Sequence, residues 1–247
     1  LVSGAPGQTQ ALIAGVDFRL NAGSAVGIVG PSASGKSSLA RALTGVWPIY
    51  RGNIRLDGAA LNQWSDVELG SHIGYLPQDI ELFSGTVSEN ISRFRRDADP
   101  SAIIAAATAA GVHELILKLP RGYETEIGTG GNMLSAGQRQ RLGLARALYG
   151  DPFLVVLDEP NSNLDADGEA AVTAAILSVR ARGGIAIVIA HRPSALAGVD
   201  HVMMVKDGQM QLFGRKEDVI NSILQKQERP VTLERAPTLK VVDGSEA

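Results

Sequence analysis

The chain has 247 residues, of which 45% are apolar and 20% are charged, with a formal net charge of −3. That length suffices for one α/β domain, or for one domain with an inserted subdomain, and the apolar fraction can fill a sizeable core. The charge balance argues against nucleic acid as the main partner, since phosphate neutralisation needs excess Lys and Arg, and the lack of cysteine excludes disulfides, thiolate zinc sites and cysteine nucleophiles.

Short apolar runs alternate with helical stretches in the first third of the chain, which predicts an α/β layered fold. The apolar run Ala25–Val29 is followed by a Gly-rich turn, and residues 36–46 then have helical spacing. Residues 53–56 and Ile73–Leu76 are predicted as short strands, each ended by turn signals or proline.

The middle of the chain shows only helical patterning and predicts an α-helical subdomain, about residues 84–148, inserted into the α/β domain. A glycine-rich loop precedes its last predicted helix, Ala136–Leu148. The strand pattern resumes at residues 153–157 and 185–190, with a helix predicted between them. A hairpin and a closing helix follow, and the polar, proline-containing residues 229–247 are expected to be a disordered tail.

Residues 30–37 read Gly-Pro-Ser-Ala-Ser-Gly-Lys-Ser, which fits the phosphate-loop pattern at every fixed position. Loop N–H groups and the N-terminus of the following helix attract phosphate, Lys36 is expected to hold the β- and γ-phosphates, and Ser37 to bind Mg²⁺. The alternative, a Gly/Ser-rich turn before a helix, is disfavoured by the strand–loop–helix context. The predicted ATP contacts are Gly30, Pro31, Ser32, Ala33, Ser34, Gly35, Lys36, Ser37 and Ser38.

An apolar strand that ends in two carboxylates, Asp158 and Glu159, is the second chemical feature. Carboxylates at the C-terminal end of a parallel strand lie at the ligand crevice of the sheet. We expect Asp158 to bind Mg²⁺, through water, and Glu159 to act as the general base for an attacking water. Alone, the pattern is equally typical of a solvated turn; downstream of a phosphate loop it favours nucleotide hydrolysis.

Five residues at the N-terminus of the last subdomain helix carry a family resemblance. Leu134, Ser135, Ala136, Gly137 and Gln138 are similar to the LSGGQ signature of ABC ATPases, with Ala136 in place of the first Gly. The resemblance implies that this loop binds the γ-phosphate of ATP held by the phosphate loop of an opposite subunit. Without the resemblance, a Ser N-cap beside a flexible loop would be the favoured interpretation.

Further positions match the same family in order and spacing. Gln78 resembles the Q-loop residue that contacts Mg²⁺ and the attacking water, and His191 resembles the switch histidine on the γ-phosphate. Ser162 and Asp165 resemble the D-loop that crosses the dimer interface. Taken singly, they would be a polar turn, a surface histidine and a helix cap.

The resemblance implies a P-loop NTPase core of the ABC type over residues 1–228, with a mostly parallel sheet, an antiparallel β part and the helical insertion. It also implies ATP and Mg²⁺ as cofactors and an ATP-dependent homodimer with a second copy. Two positions depart from the family: Ala5 stands where many relatives stack an aromatic ring on adenine, and Thr129 where exporters often have Glu.

Residues 81–91 resemble the exporter half of the family, and residues 45–48, 73–78 and 158–165 resemble the ATPase/permease of bacterial type I secretion systems. That branch implies ATP-powered export of a protein across the inner membrane, from its cytoplasmic face. It also implies a periplasmic adaptor, an outer-membrane channel and a fused N-terminal transmembrane domain. The chain has no initiator Met, so we expect a piece of a longer protein. It has no apolar run of 18 residues, so this piece itself is not expected to span a bilayer.

Other functions remain open at this point. The ATPase of another ABC transporter, either a small-molecule or lipid exporter or an importer, is the nearest alternative. A soluble ABC ATPase of DNA repair or translation would carry a long coiled-coil insertion or a second such domain. A non-hydrolysing nucleotide-gated scaffold is disfavoured by Asp158, Glu159 and His191.

Overall fold

A computed structural model describes residues 1–8, 10–190 and 192–227 of the chain. The strands are β1 Val2–Ser3, β2 Ala25–Val29, β3 Ile49–Arg51, β4 Arg55–Leu56, β5 Ala59–Ala60, β6 Ile73–Leu76, β7 Leu154–Asp158, β8 Ile185–Ile189, β9 His201–Lys206 and β10 Gln209–Arg215. The α-helices are α1 Lys36–Leu43, α2 Asp66–His72, α3 Val87–Ile91, α4 Pro100–Ala109, α5 His113–Leu117, α6 Ala136–Leu148, α7 Ala166–Ala181 and α8 Lys216–Gln227.

The central sheet has six strands in the order β10-β9-β2-β8-β7-β6. Every neighbouring pair is parallel except β9 and β10, which form an antiparallel hairpin. β7 and β8 are buried along their whole length, which explains why both read as unbroken apolar runs. Two small antiparallel pairs, β1–β3 and β4–β5, lie outside this sheet. The predicted α/β fold with a mostly parallel sheet and an antiparallel part is therefore confirmed.

Helix α1 begins at Lys36 as predicted but ends at Leu43, three residues before the predicted end. The next turn is closed by Thr44, whose hydroxyl donates to the Ala40 carbonyl at 3.0 Å. Gly45 then takes a φ of +75°, a left-handed conformation that suits glycine and ends the helix. The exposed Val46 therefore belongs to the connection rather than to the helical face.

Helices α3 to α6 all lie between β6 and β7, which pair directly in the sheet. The insertion is fastened to the sheet by Arg93, just after α3. Its guanidinium donates to five main-chain carbonyls, those of Gly70, Ile73, Arg146, Ala147 and Tyr149. Since three of those carbonyls belong to the last turn of α6 and the residue after it, Arg93 supplies the C-terminal hydrogen bonds that the helix cannot make itself.

The boundaries of the predicted units remain predictions. The expected disordered tail, residues 229–247, lies outside the described residues. No helix in the described part of the chain combines the length and the apolar composition needed to cross a bilayer.

Candidate functional site

The loop between β2 and α1 has a backbone that only glycine accommodates at two positions. Gly30 has a φ of +155°, and a Cβ there would lie 1.9 Å from the Val205 carbonyl oxygen. Gly35 has a φ of +97°, and a Cβ there would lie 2.6 Å from Cδ1 of Ile13. The two glycines of the predicted phosphate loop therefore permit a close turn against β9 and against the segment that contains Ile13.

Lys36 is buried in this loop, with 5% of its surface exposed. Its Nζ donates to the carbonyl oxygens of Gly30, at 3.0 Å, and Pro31, at 2.7 Å. Burial lowers the pKa of Lys36, and the negative charges of Glu159 and Asp158 partly offset this effect. The ammonium is thus held at the centre of the loop, where anionic oxygens would be stronger partners than the loop carbonyls.

Asp158, the last residue of β7, is fully buried. Burial raises the pKa of its carboxyl group, whereas the nearby hydroxyl of Ser37 lowers it. Neither carboxylate oxygen has a hydrogen-bond partner of ordinary geometry in the described chain. A buried carboxylate without such a partner, beside a hydroxyl, matches the oxygen ligands that Mg²⁺ prefers, so these residues fit the predicted metal.

Glu159 follows β7 in a left-handed conformation, with a φ of +52°. Its N–H donates to the Ile189 carbonyl of β8 at 3.0 Å, which continues the hydrogen bonding of the parallel β7–β8 pair. A non-glycine residue in this conformation costs about 1–2 kcal/mol, and such conformations cluster at functional sites.

One open cavity of about 300 Å³ brings most of the predicted catalytic residues together. It is lined by Leu12, Ser32, Ala33, Ser34, Gly35, Lys36, Ser37, Ser38, Gln78 and Glu159. Gln78 is far from the loop in sequence, and it reaches the cavity because β6 and β7 end at the same edge of the sheet. Asp158 lies at the same edge, close enough for its charge to act on Lys36.

Leu12 was not predicted from the sequence, although it contributes apolar surface to the cavity. The main chain of Leu12 packs closely against the phosphate loop, because a Cβ on Gly35 would lie 3.1 Å from the Leu12 carbonyl oxygen. Ala5, the position without an aromatic ring, accepts a hydrogen bond from the Tyr50 hydroxyl at 2.8 Å. A partly exposed leucine within the short apolar stretch at residues 11–14 is a weak sequence signal, so only the structure reveals the contact of Leu12 with the cavity.

The signature residues form the N-terminus of α6, and none of the five lines this cavity. Ser135 is the N-cap: its Oγ accepts from the Gln138 N–H at 3.2 Å, and Oε1 of Gln138 accepts from the Ser135 N–H at 2.9 Å. Leu134 is buried, whereas Ser135 and Ala136 are exposed. The capping box satisfies the helix N-terminus and leaves Ser135 exposed at the surface of the domain.

The predicted D-loop residues lie between β7 and α7. Asp165 caps α7 by accepting from the Gly168 N–H at 2.9 Å, and it forms a salt bridge with Arg141 of α6. The hydrogen bond from Gly168 is the main cause of the lowered pKa of Asp165. The Ser162 hydroxyl accepts from Nδ2 of Asn163 at 3.2 Å. His191 lies outside the described residues, as does the side chain of Thr129.

Comparison with known proteins agrees with this geometry. A family model described as "ABC transporter" matches residues 13–162. The type I secretion system ATP-binding protein PrsD of Rhizobium meliloti (strain 1021) is 63% identical over 100% of this chain, which covers 42% of that relative. ATP-binding cassette sub-family B member 6 of Homo sapiens is 39% identical over 83% of the chain and is covered to 24%.

A solved structure, of a bacterial Atm1-family ABC exporter with ATP bound, superposes on the chain with a TM-score of 0.81 at 32% identity. It matches 92% of this chain, which covers 41% of that protein. The chain thus spans less than half the length of each of these relatives.

Proposed function

The chain belongs to the ABC transporter family and is an ATPase domain, and from this premise we propose that it binds Mg-ATP in the cavity beside Lys36. The observation that carries the proposal is that one cavity joins the phosphate loop to Gln78 and Glu159. The N–H groups of residues 30–37 and the N-terminus of α1 would hold the phosphates, together with the Lys36 ammonium.

The residues that would hold Mg²⁺ are Ser37, Gln78 and Asp158. When bound, this ion neutralises phosphate charge during phosphoryl transfer. Glu159 lines the same cavity and would accept a proton from the attacking water. In the sequence, His191 comes two residues after the end of β8, which is the strand between β2 and β7. We propose that His191 contacts the γ-phosphate.

A second copy of the domain would complete each nucleotide site. Ser135 is exposed at the N-terminus of the 13-residue helix α6, and it does not line the cavity of its own protomer. A helix N-terminus attracts anions, so it can bind the γ-phosphate at the cavity of a partner. The D-loop residues Ser162 and Asp165 would then lie at the interface between the two copies.

A groove between the segment that ends and follows β6 and the helical insertion is where we propose that the membrane domain docks. Phe83 and Phe94 are 59% and 43% exposed, and their rings meet edge to face at 6.0 Å. The Arg146 guanidinium lies 5.9 Å from the Phe83 ring centre, beside a cavity of about 390 Å³. Two adjacent exposed aromatic rings on a soluble domain mark a contact surface.

The whole protein is proposed to export a polypeptide in a type I secretion system. The support is the 63% identity to PrsD over the full chain. In this proposal, the whole protein has a fused N-terminal transmembrane domain, which would place the ATPase domain at the cytoplasmic face of the bacterial inner membrane. A periplasmic adaptor and an outer-membrane channel would complete the path of the exported protein. Export of a small molecule or lipid, or import, is not favoured.

Replacement of Phe83 by Asp tests the docking groove and the export function together. A charge in the proposed interface should reduce secretion of the exported protein by about tenfold or more, because central aromatic contacts contribute about 2 kcal/mol or more. Mg-ATP binding by the purified variant should stay as in wild type, since Phe83 does not line the nucleotide cavity. Leu224→Asp, an exposed position on α8, is the matched control. Wild-type secretion by Phe83→Asp would contradict docking at this groove.

A further inference from the structure

Helix α6 is fastened to the segment that carries Glu159, and its polar residue Gln140 makes the central contact. Gln140 is 1% exposed. Its Nε2 donates to the Pro160 carbonyl oxygen at 3.0 Å and lies 3.4 Å from that of Glu159. A buried amide that donates to two consecutive main-chain carbonyls fixes the course of that piece of backbone.

Two neighbouring contacts make this attachment rigid. A Cβ on Gly137 would lie 3.0 Å from the Asn163 carbonyl oxygen, so the glycine lets α6 approach the D-loop closely. On the other side of Gln140, Arg141 pairs with the Asp165 carboxylate and donates to the Gly111 carbonyl at 3.0 Å. The first half of α6 therefore holds residues 159–165 along their length.

The backbone of Glu159 needs such support from both sides. Its N–H is bound to β8, and its φ of +52° is an unfavourable conformation for glutamate. The direction of the Glu159 side chain depends on the conformation of this residue's main chain. The N–H group of Glu159 is held by β8, and its carbonyl group is contacted by Gln140. The Glu159 carbonyl also accepts from the Ser162 N–H at 3.2 Å, so loss of the Gln140 amide would remove one of the two restraints on that carbonyl, together with the contact to the Pro160 carbonyl.

We propose that Gln140 is a positioning residue that holds the Glu159–Pro160 main chain and so aims the Glu159 carboxylate into the nucleotide cavity. The proposal rests on the role proposed above for Glu159. Because Ser135 caps the same helix about 7.5 Å away along its axis, the signature loop and the Glu159 backbone belong to one rigid unit. A shift of the signature loop on binding a partner's nucleotide is thereby transmitted to Glu159 of the same protomer.

The test is Gln140→Met, which keeps the side-chain volume and removes the donor. We expect kcat for ATP hydrolysis to fall about tenfold, because small misplacements of catalytic groups have effects of this size or larger. The Kd for Mg-ATP should be unchanged, since Gln140 does not line the cavity. Gln140→Asn, whose shorter amide cannot reach both carbonyls, should lose kcat in the same way if the Met variant fails to fold. Gln225→Met, exposed on α8, is the matched control.

A double-mutant cycle separates positioning from general damage. In the Glu159→Gln background, Gln140→Met should give no further loss in single-turnover hydrolysis, because it acts through the Glu159 carboxylate. A wild-type kcat for Gln140→Met, a weakened Kd for Mg-ATP, or an independent multiplicative loss in the cycle would each overturn the proposal. The role of Glu159 is judged separately, from the loss of turnover in Glu159→Gln alone.

Discussion

Replacement of Glu159 by Gln is expected to lower ATP turnover by about 100-fold to 10,000-fold, the range typical of a lost general base. The amide keeps the shape of the side chain but cannot accept the proton of the attacking water. The phosphate loop is unchanged, so the Kd for Mg-ATP should remain that of wild type. Steady-state phosphate release and equilibrium nucleotide binding on the same preparation measure the two quantities.

The matched control for that variant is Glu114→Gln, at an exposed position in the first turn of α5. It removes the same charge from the helical insertion without touching the cavity, and turnover should stay at the wild-type rate. Turnover near wild type in Glu159→Gln, with nucleotide still bound, would show that another group accepts the proton.

Removal of the Lys36 side chain is expected to act on binding itself. In Lys36→Ala the phosphates lose a charge-assisted contact worth about 1.5–3 kcal/mol, so the Kd for Mg-ATP should rise roughly tenfold to a hundredfold. Turnover should fall further, because the ammonium also stabilises charge in the transition state. Titration with a fluorescent ATP analogue, followed by competition with ATP, measures the affinity.

Lys118→Ala, an exposed lysine just after α5, controls for the loss of a positive charge. A thermal melt is the companion measurement, since the Lys36 ammonium also donates to the carbonyls of Gly30 and Pro31 and so contributes to the loop itself. Full ATP affinity in a folded Lys36→Ala protein would contradict the phosphate-binding role.

The sequence was sufficient for the features whose cause is local. The strand Ala25–Val29, the helix Ala136–Leu148 and the two loop glycines follow from periodicity and from backbone sterics, and the structure has all of them. Asp158 and Glu159 were found because a buried strand delivers its last residues to one edge of the sheet. The predicted roles of these residues remain predictions that the variants above address.

Features that depend on distant main-chain atoms were not predicted. In the sequence, Gln140 is indistinguishable from any other polar residue of an amphipathic helix. Its partners are main-chain carbonyl groups, which every residue has, so no residue type marks them. The same reason hides Arg93, which binds five carbonyls from two separate segments. The strands of the pairs β1–β3 and β4–β5 are two or three residues long, too short to show a period, and of these four strands only β4 falls within a predicted strand, the one at residues 53–56.

Mixing two variants that each carry one lesion tests most directly whether nucleotide is clamped between two protomers. One carries Lys36→Ala and the other Ser135→Arg, both with Glu159→Gln to prevent turnover. The protein should be at a concentration where Glu159→Gln alone forms ATP-dependent dimers. A mixed dimer then has one intact site, built from Lys36 of the second chain and Ser135 of the first. Neither variant should form ATP-dependent dimers alone, so all chains are available for this mixed dimer. Because it holds ATP in one of its two sites, the mixture should restore retained ATP, in dimers, to as much as about half of the Glu159→Gln level. Retention in the mixture equal to the average of the two variants measured separately would contradict the composite site.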